Sequence, residues 1–460
     1  MTKMMGFFGR RKQWTKGSKF IISILLSTVL VALLSLNVKA CEQKFEGFGV
    51  FLGSNKYFGR SKAGTDAKVL QVVYEFLGIR LFRTSYEPQF SPEENKYEIN
   101  CTDAFTCSWI NVHRLVSTLP GVKVFASVWS PPHYMKNDFY QLLPEYETAY
   151  LYFIKNITAI IKRDFNIEIE RVSPVNEPEN VFAPWDHTNM DPDQLCRIVK
   201  SYKDPLISIC PENSYFWVSK IYYNFESDDP SLNCSLYCDI KATHAYSLNM
   251  DFTSSNSMLA YYDLKRYDER GTQGPIWMTE VSSTYRDPDE TEMQEALDLA
   301  TNIVNFVGVT CVQRYYFWYA FSDRSSGESL IWLNTDGSLY FPKKFYVYKL
   351  FVRASNTTHT PTEVNDCGSL SFRGSQSSQS ANIVVTLECI QFGDVDRVLV
   401  NRELTDKQLD HHECTMLCCV TANYDYNCTE SQHRIHSVPP KSVCHCVLST
   451  PVILNNSIIL

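Results

Sequence analysis

The sequence predicts an α/β protein, a (β/α)8 TIM barrel over residues 41–353 with a C-terminal, cysteine-rich side β-sandwich over residues 354–460. Three observations predict it. Short apolar runs alternate with helical patterns eight times from Gly47 onward, the helical texture stops after Arg353 at "ASNTTHTPTEVNDCGS", and two of the eight runs deliver a glutamate where a strand must end. Eight alternations over about 300 residues suit a closed parallel barrel better than an open doubly wound sheet.

The first strand is "GVFLG" and the second is "IRLFRTS", with Val69, Val72, Val73 and Phe76 on one helical face between them. "VKVFASVWS" and "IERVSPVNE" are the third and fourth. Tyr150, Phe153, Ile154, Ile157 and Ile161 form the buried stripe of the helix that joins them. "YFWVSKI", "DIKATHAYS", "IWMTEVSS" and "VQRYYFWYAF" supply strands five to eight, and Leu297, Ala300, Val304 and Val307 mark the helix before the last. Beyond Arg353, "NIVVTLECI" and "RVLVNREL" read as strands of the side unit. Only Cys41 to Glu46 precede the first strand, so few side-unit strands can come from that end.

The first forty residues have the layout of a secretory signal. Six basic residues from Lys3 to Lys19 precede an apolar run, Phe20 to Leu36, and Val38 and Ala40 are the small residues of a cleavage site after Ala40. The run of 17 residues is also at the lower limit for spanning a bilayer, which leaves an uncleaved signal anchor as the second option. In both cases the rest of the chain faces the lumen or the outside. Sixteen cysteines and six Asn-x-Ser/Thr sequons, at Asn100, Asn156, Asn233, Asn356, Asn427 and Asn455, agree with that compartment. Residues 1–40 hold seven Lys/Arg and no Asp/Glu, which leaves 36 basic against 51 acidic residues in the remainder. So acidic a chain is not expected to bind nucleic acid.

Cys101 and Cys107, and likewise Cys234 and Cys238, are close enough in sequence to pair, although spacing does not fix connectivity. Six cysteines crowd into Cys414 to Cys446; their spacing fits no metal motif well, and disulfides are expected there. No nucleotide, flavin or metal motif stands out, so no cofactor is expected.

Glu177, in "RVSPVNEPEN", follows a run suited to a covered parallel strand and precedes a proline that cannot continue a ladder. Glu280 ends the seventh strand in the same way. In a barrel both would face one cavity. Glycoside hydrolysis needs such a pair: one carboxylic acid protonates the leaving oxygen and the other carboxylate attacks the anomeric carbon. The acid must keep its proton, its pKa raised by burial and by the neighbouring negative charge.

Several separate motifs resemble the family 30 glycoside hydrolases, retaining β-glycosidases with a barrel and a side β-sandwich. They are "FEGFG" (Phe45 to Gly49), "ASVWSPPHYMK" (Ala126 to Lys136), "SPVNEPE" (Ser173 to Glu179), "HAY" (His244 to Tyr246), "IWMTEVSS" (Ile276 to Ser283) and "FPKKFYVYKLFVR" (Phe341 to Arg353). The resemblance implies Glu177 as general acid/base, Glu280 as nucleophile and Asn176 as the partner of the sugar 2-hydroxyl. Arg83 stands at a strand end where it can orient a carboxylate, and Tyr246 can donate its phenol to Glu280. Trp129, Trp318 and Trp185 offer flat faces for a sugar ring, and His244 is expected to be a hydrogen-bonding residue.

The implied partner is a β-linked polysaccharide or a glycolipid. Family members cleave glucosylceramide, β-1,6-glucan, β-1,6-galactan or glucuronoxylan, and loops decide among them. Arg324, in the loop "FSDRSSGESLIW", stands where the glucuronoxylan-cleaving members resembled here have an arginine that reads a uronic acid, while "SDRSSGES" reads equally as a solvated turn. Two alternatives stand beside this: a catalytically silent barrel that binds glycans or a partner, and a galactosylceramidase-like enzyme of a related family.

Overall fold

The computed structural model describes residues 45–52, 65–202, 209–225, 227–246, 274–282, 292–322, 327–356, 362–363, 388–392, 396–402, 404, 406–408, 414–435 and 437–448. The leader at residues 1–40, Arg324 and the sequon at Asn455 lie outside the described residues. Among those residues no helix is long and apolar enough to cross a membrane.

The eight expected alternations form a parallel barrel. Its strands are β1 (Gly47–Phe51), β2 (Leu81–Tyr86), β3 (Lys123–Val128), β4 (Ile169–Ser173), β5 (Ile209–Asn213), β6 (Ile240–His244), β7 (Ile276–Val281) and β8 (Arg314–Ser322). They pair in the order β4-β3-β2-β1-β8-β7-β6-β5, so β4 and β5 flank the one seam without a strand ladder among the described residues. The interior is packed, not hollow. Leu81, Phe125, Ile209, Ile240, Ala242, Trp277 and Tyr316 form a separate buried cluster. Gly49 makes room for it, since a Cβ there would lie 2.4 Å from the Tyr316 ring.

The helices bury the stripes expected of them, with one exception. Tyr150, Phe153, Ile154, Ile157 and Ile161 are fully buried, as are Ala300 and Val307, with Leu297 and Val304 nearly so. In the first helix Val69 and Val73 are buried and Val72 packs half-buried against the core, but Phe76 is 49% exposed. The helix Thr65–Gln71 continues into a π turn, Val72–Phe76, whose wider winding rotates Phe76 off the stripe. There its ring stacks on Phe345 and receives the Lys349 ammonium 3.2 Å from its centroid.

The expected fifth strand is corrected. "YFWVSKI" falls in the helix Phe216–Tyr223, and the strand is the preceding "ICPEN". Phe216, Ser219 and Tyr223 repeat at helical spacing and are buried, which overrides the β-like composition. Pro211 is tolerated in β5 because it falls where the register with β6 shifts, between Ile209 and Glu212.

A hairpin of β9 (Ser329–Leu333) and β10 (Leu339–Tyr340) and the helix Lys343–Asn356 precede the side unit. Its six-stranded antiparallel sheet runs β11 (Thr362–Glu363), β12 (Glu388–Phe392), β13 (Asp396–Asn401), β18 (Ser442–Leu448), β15 (Cys414–Thr421) and β16 (Asn427–Ile435), beside a two-stranded ribbon of β14 (Lys407–Gln408) and β17 (Ser437–Val438). Val398, Val400, Cys418, Val420 and Val443 pack into the same core as the barrel helices, while Leu399, Leu417 and Val438 cluster with four cysteines elsewhere in the unit. Bonds Cys414–Cys446, Cys418–Cys428 and Cys419–Cys444 tie β15 to its two neighbours, as the crowding of cysteines there led us to expect.

In the barrel Cys101 pairs with Cys107. Cys234 and Cys238 do not pair with each other. Cys234 bonds Cys196 and Cys238 bonds Cys210, because the turn that holds them is wedged between the helix Pro192–Ser201 and β5, each of which offers its own cysteine.

Candidate active site

Strand periodicity builds the site. Two residues beyond the interior cluster on β2, β3, β6 and β8 come Arg83, Ser127, His244 and Trp318, and two beyond Gly49 on β1 comes Phe51. Two further residues arrive through irregularities. On β5 the register shifts between Ile209 and Glu212, and on β7 between Met278 and Val281, where the shift re-aims Glu280.

Glu177 arrives differently. Beyond β4 the Asn176 amide donates to the Val128 carbonyl of β3 (2.9 Å), and the Glu177 amide donates to the Glu212 carbonyl of β5 (2.8 Å). The segment thus bridges the seam that the strands leave open. Glu177 has φ = 47°, a left-handed conformation that is costly for a non-glycine residue and that persists where the surroundings dictate it.

Arg83 is the hub. Its Nε donates to Ser127 Oγ (3.0 Å), Nη2 donates to Asn176 Oδ1 (2.6 Å) and pairs with Glu212 Oε1 (2.8 Å), and Nη1 donates to Glu280 Oε2. The other oxygen of Glu280 accepts from the Tyr246 hydroxyl (2.6 Å). Glu177 Oε1 lies 2.9 Å from His244 Nδ1, and its Oε2 accepts from Asn180 Nδ2 (3.0 Å). All of these residues except Asn180 and Tyr246, which are half-buried, are buried.

Charge follows from this packing. Burial works against a charged His244, but Glu280, Glu177 and Glu212 outweigh it and push the imidazole up to about 9. Burial raises Glu212 as well, yet Arg83 and His244 bring it down to about 2. Glu280 lies above its ordinary value, through burial and the charge of Glu177, against the pull of His244 and Arg83. Glu177 lies below its ordinary value: burial pushes it up, but the hydrogen bond and charge of His244 prevail. The sequence led us to expect a raised carboxyl at the acid. Here it is instead the imidazole of His244 that is pushed up, because three carboxylates from β5, β7 and the seam surround that ring.

Around this cluster Trp129, Phe51 and Trp318 stack, with Phe51 at 5.0 Å from Trp129 and 4.3 Å from Trp318. The Arg83 guanidinium carbon lies 4.5 Å from the Trp129 centroid. Trp185 does not join this stack; it stands at the rim, 43% exposed. Thus Glu177, Glu280, Asn176, Arg83, Tyr246 and His244 come together, Trp129 and Trp318 form an aromatic wall beside them, and Trp185 is peripheral.

Glu212, Phe51 and Asn180 escaped the sequence analysis. So did Glu179, which accepts from Asn213 Nδ2 (2.7 Å) and is pushed up to about 7, chiefly by burial. A carboxyl raised on folding contributes stability below its ordinary pKa, and the contribution is lost as pH rises through about 7. Melting temperature should therefore fall between about pH 5 and about pH 7.5, and Glu179→Gln should remove part of that fall. An unchanged pH profile in the variant would show that Glu179 ionises freely.

Glu177, His244 and Glu280 each present a ligand atom within 4.8 Å of the others, a spacing that could hold a cation. Arg83 and a protonated His244 already supply positive charge there.

Scanned against protein-family models and against curated proteins, the sequence matches none. Solved structures do match. A glycoside hydrolase family 30 subfamily 8 xylanase from Clostridium acetobutylicum is similar over 90% of this chain and 98% of its own, with a TM-score of 0.63 and 19% identity. A conserved exported protein from Bacteroides fragilis matches over 89% and 99%, with a TM-score of 0.67 and 12% identity. An endo-β-1,6-glucanase matches over 90% and 92%, with a TM-score of 0.62 and 16% identity. What the chain shares with these proteins is the fold, a (β/α)8 barrel carrying an antiparallel side sheet.

Proposed function

We propose that the protein is a retaining β-glycoside hydrolase acting on a β-linked polysaccharide or a glycolipid, with Glu280 as nucleophile and Glu177 as acid/base. One observation carries this: the two carboxylates meet in one buried site with oxygens within 4.8 Å. Retaining enzymes hold the pair about 5 to 5.5 Å apart, whereas inverting ones leave about 6.5 to 9.5 Å for a water. The similar folds of a xylanase and an endo-β-1,6-glucanase support a glycosidase.

Arg83 and Tyr246 each hold one oxygen of Glu280, which fixes its direction of attack on the anomeric carbon. As the ester bond forms, Glu280 loses its charge and His244 loses its strongest support. The imidazolium proton then passes to Glu177 and on to the leaving oxygen as the glycosidic bond breaks. In the second step Glu177 takes a proton from water, the water oxygen attacks the same carbon and Glu280 departs as a carboxylate, and the proton returns from Glu177 to His244 as the charge of Glu280 is restored. Asn176 has its Oδ1 engaged by Arg83, so its Nδ2 is the group left to donate to a sugar hydroxyl.

A silent binding barrel would have no use for two carboxylates held by Arg83, Tyr246 and His244. A galactosylceramidase-like enzyme would share this chemistry and differ in the sugar. The site would operate outside the cytosol, a reading supported by the disulfides and the leader. Glu177→Ala tests the acid/base role. It should leave the first step intact for aryl glycosides with very acidic leaving groups, slow natural substrates by at least about a hundredfold and yield a β-glycosyl azide with azide. Equal losses on both substrate kinds would remove Glu177 from that role.

A further inference from the structure

The segment that carries Glu177 continues outward into "VFAPW", Val181 to Trp185, which has no charged side chain and only the indole N–H as a side-chain donor. Its tip is exposed, with Phe182 at 91% and Val181 at 52%. The loop after β3, which is bonded to Asp186–Asn189 farther along the same segment, exposes Phe139 at 75%, and Tyr140 beside it is also exposed. Both loops are braced. The Asn189 amide and Thr188 Oγ1 each donate to the Tyr140 carbonyl (2.8 Å), Asn189 Nδ2 donates to the Phe139 carbonyl (3.1 Å), and Lys136 pairs with Asp186 (2.5 Å). The Tyr140 ring stacks on His187 at 4.4 Å.

Apolar side chains exposed side by side on loops tied together in this way mark a surface made for an apolar partner. Phe139, Val181 and Phe182 give a polysaccharide's hydroxyls nothing to bond. Trp185 and Tyr140, each with one polar atom, suit the level of lipid headgroups. Charge narrows the partner further. Lys136 is the only lysine or arginine in the two loops and is paired with Asp186, while Asp138 beside Phe139 is exposed, so an anionic surface is disfavoured.

We propose that Phe139, Tyr140, Val181, Phe182 and Trp185 form a docking rim that inserts into a neutral lipid surface and presents the barrel mouth to glycolipid headgroups. Resting on the role proposed for Glu177, the rim lies on the leaving-group side, where the lipid of such a substrate would be.

The test sediments the full secreted protein with phosphatidylcholine vesicles and, in parallel, measures hydrolysis of a soluble nitrophenyl β-glycoside. Wild type should partition to the vesicles, and raising sodium chloride should not release it. The double variant Phe139→Ser/Phe182→Ser should lower partitioning at least about tenfold while leaving soluble hydrolysis within about twofold, and Phe182→Trp should retain binding. A wild type that stays in the supernatant, partitioning that survives the double variant, release by salt, or a dimer that the double variant dissociates would each overturn the proposal. Partitioning as expected with no hydrolysis of any soluble glycoside would leave the docking rim standing and remove the catalytic function.

Discussion

Replacing Glu280 by glutamine is expected to lower turnover of a β-glycoside by about 10^4-fold or more. The amide occupies the same space but cannot attack the anomeric carbon to form the ester. Added azide should restore part of the rate by entering the vacated side, and the product should be the α-glycosyl azide. The anomer is the informative part. A β-azide, or full activity of the variant, would assign the nucleophile elsewhere.

The second large effect is at Arg83. Its side chain is fully buried and faces Glu212 and Glu280 at once, so Arg83→Met strands two buried carboxylates without their counter-charge. Breaking such a pair from one side costs about 3–5 kcal/mol, which urea unfolding near neutral pH would read. The deficit should shrink as pH falls and the stranded carboxylates protonate. Activity should fall as well, since Glu280 loses the contact that aims it. Arg83→Lys should recover only part of either loss, because one ammonium cannot span Ser127, Asn176, Glu212 and Glu280 as the guanidinium fork does. A variant as stable as wild type would mean that the two carboxylates are neutral or solvated.

Much of this was legible in the sequence, for identifiable reasons. Arg83, His244 and Trp318 follow the strand period, so reading each strand end was enough to place them at the mouth. Glu177 was visible because a proline stops the run that carries it. Glu212 was hidden because "ICPEN" reads as a turn, whereas the apolar "YFWVSKI" next to it satisfies both strand and helix patterns. Nor could spacing show that Cys234 and Cys238 have partners in other elements. The raised imidazole of His244 is a property of the assembled site alone. The carboxylates that raise it come from three places in the chain, and His244 in turn holds Glu177 below its ordinary value, where the sequence led us to expect a raised carboxyl.

The most direct measurement follows the anomeric signal of the first product by proton NMR as a β-glycoside is hydrolysed. Double displacement through Glu280 inverts the anomeric centre twice, so the β-anomer should appear first and the α-anomer only later, by mutarotation. An α-anomer that appears first would mean a single displacement by water, and would contradict the assignment of Glu280 as nucleophile.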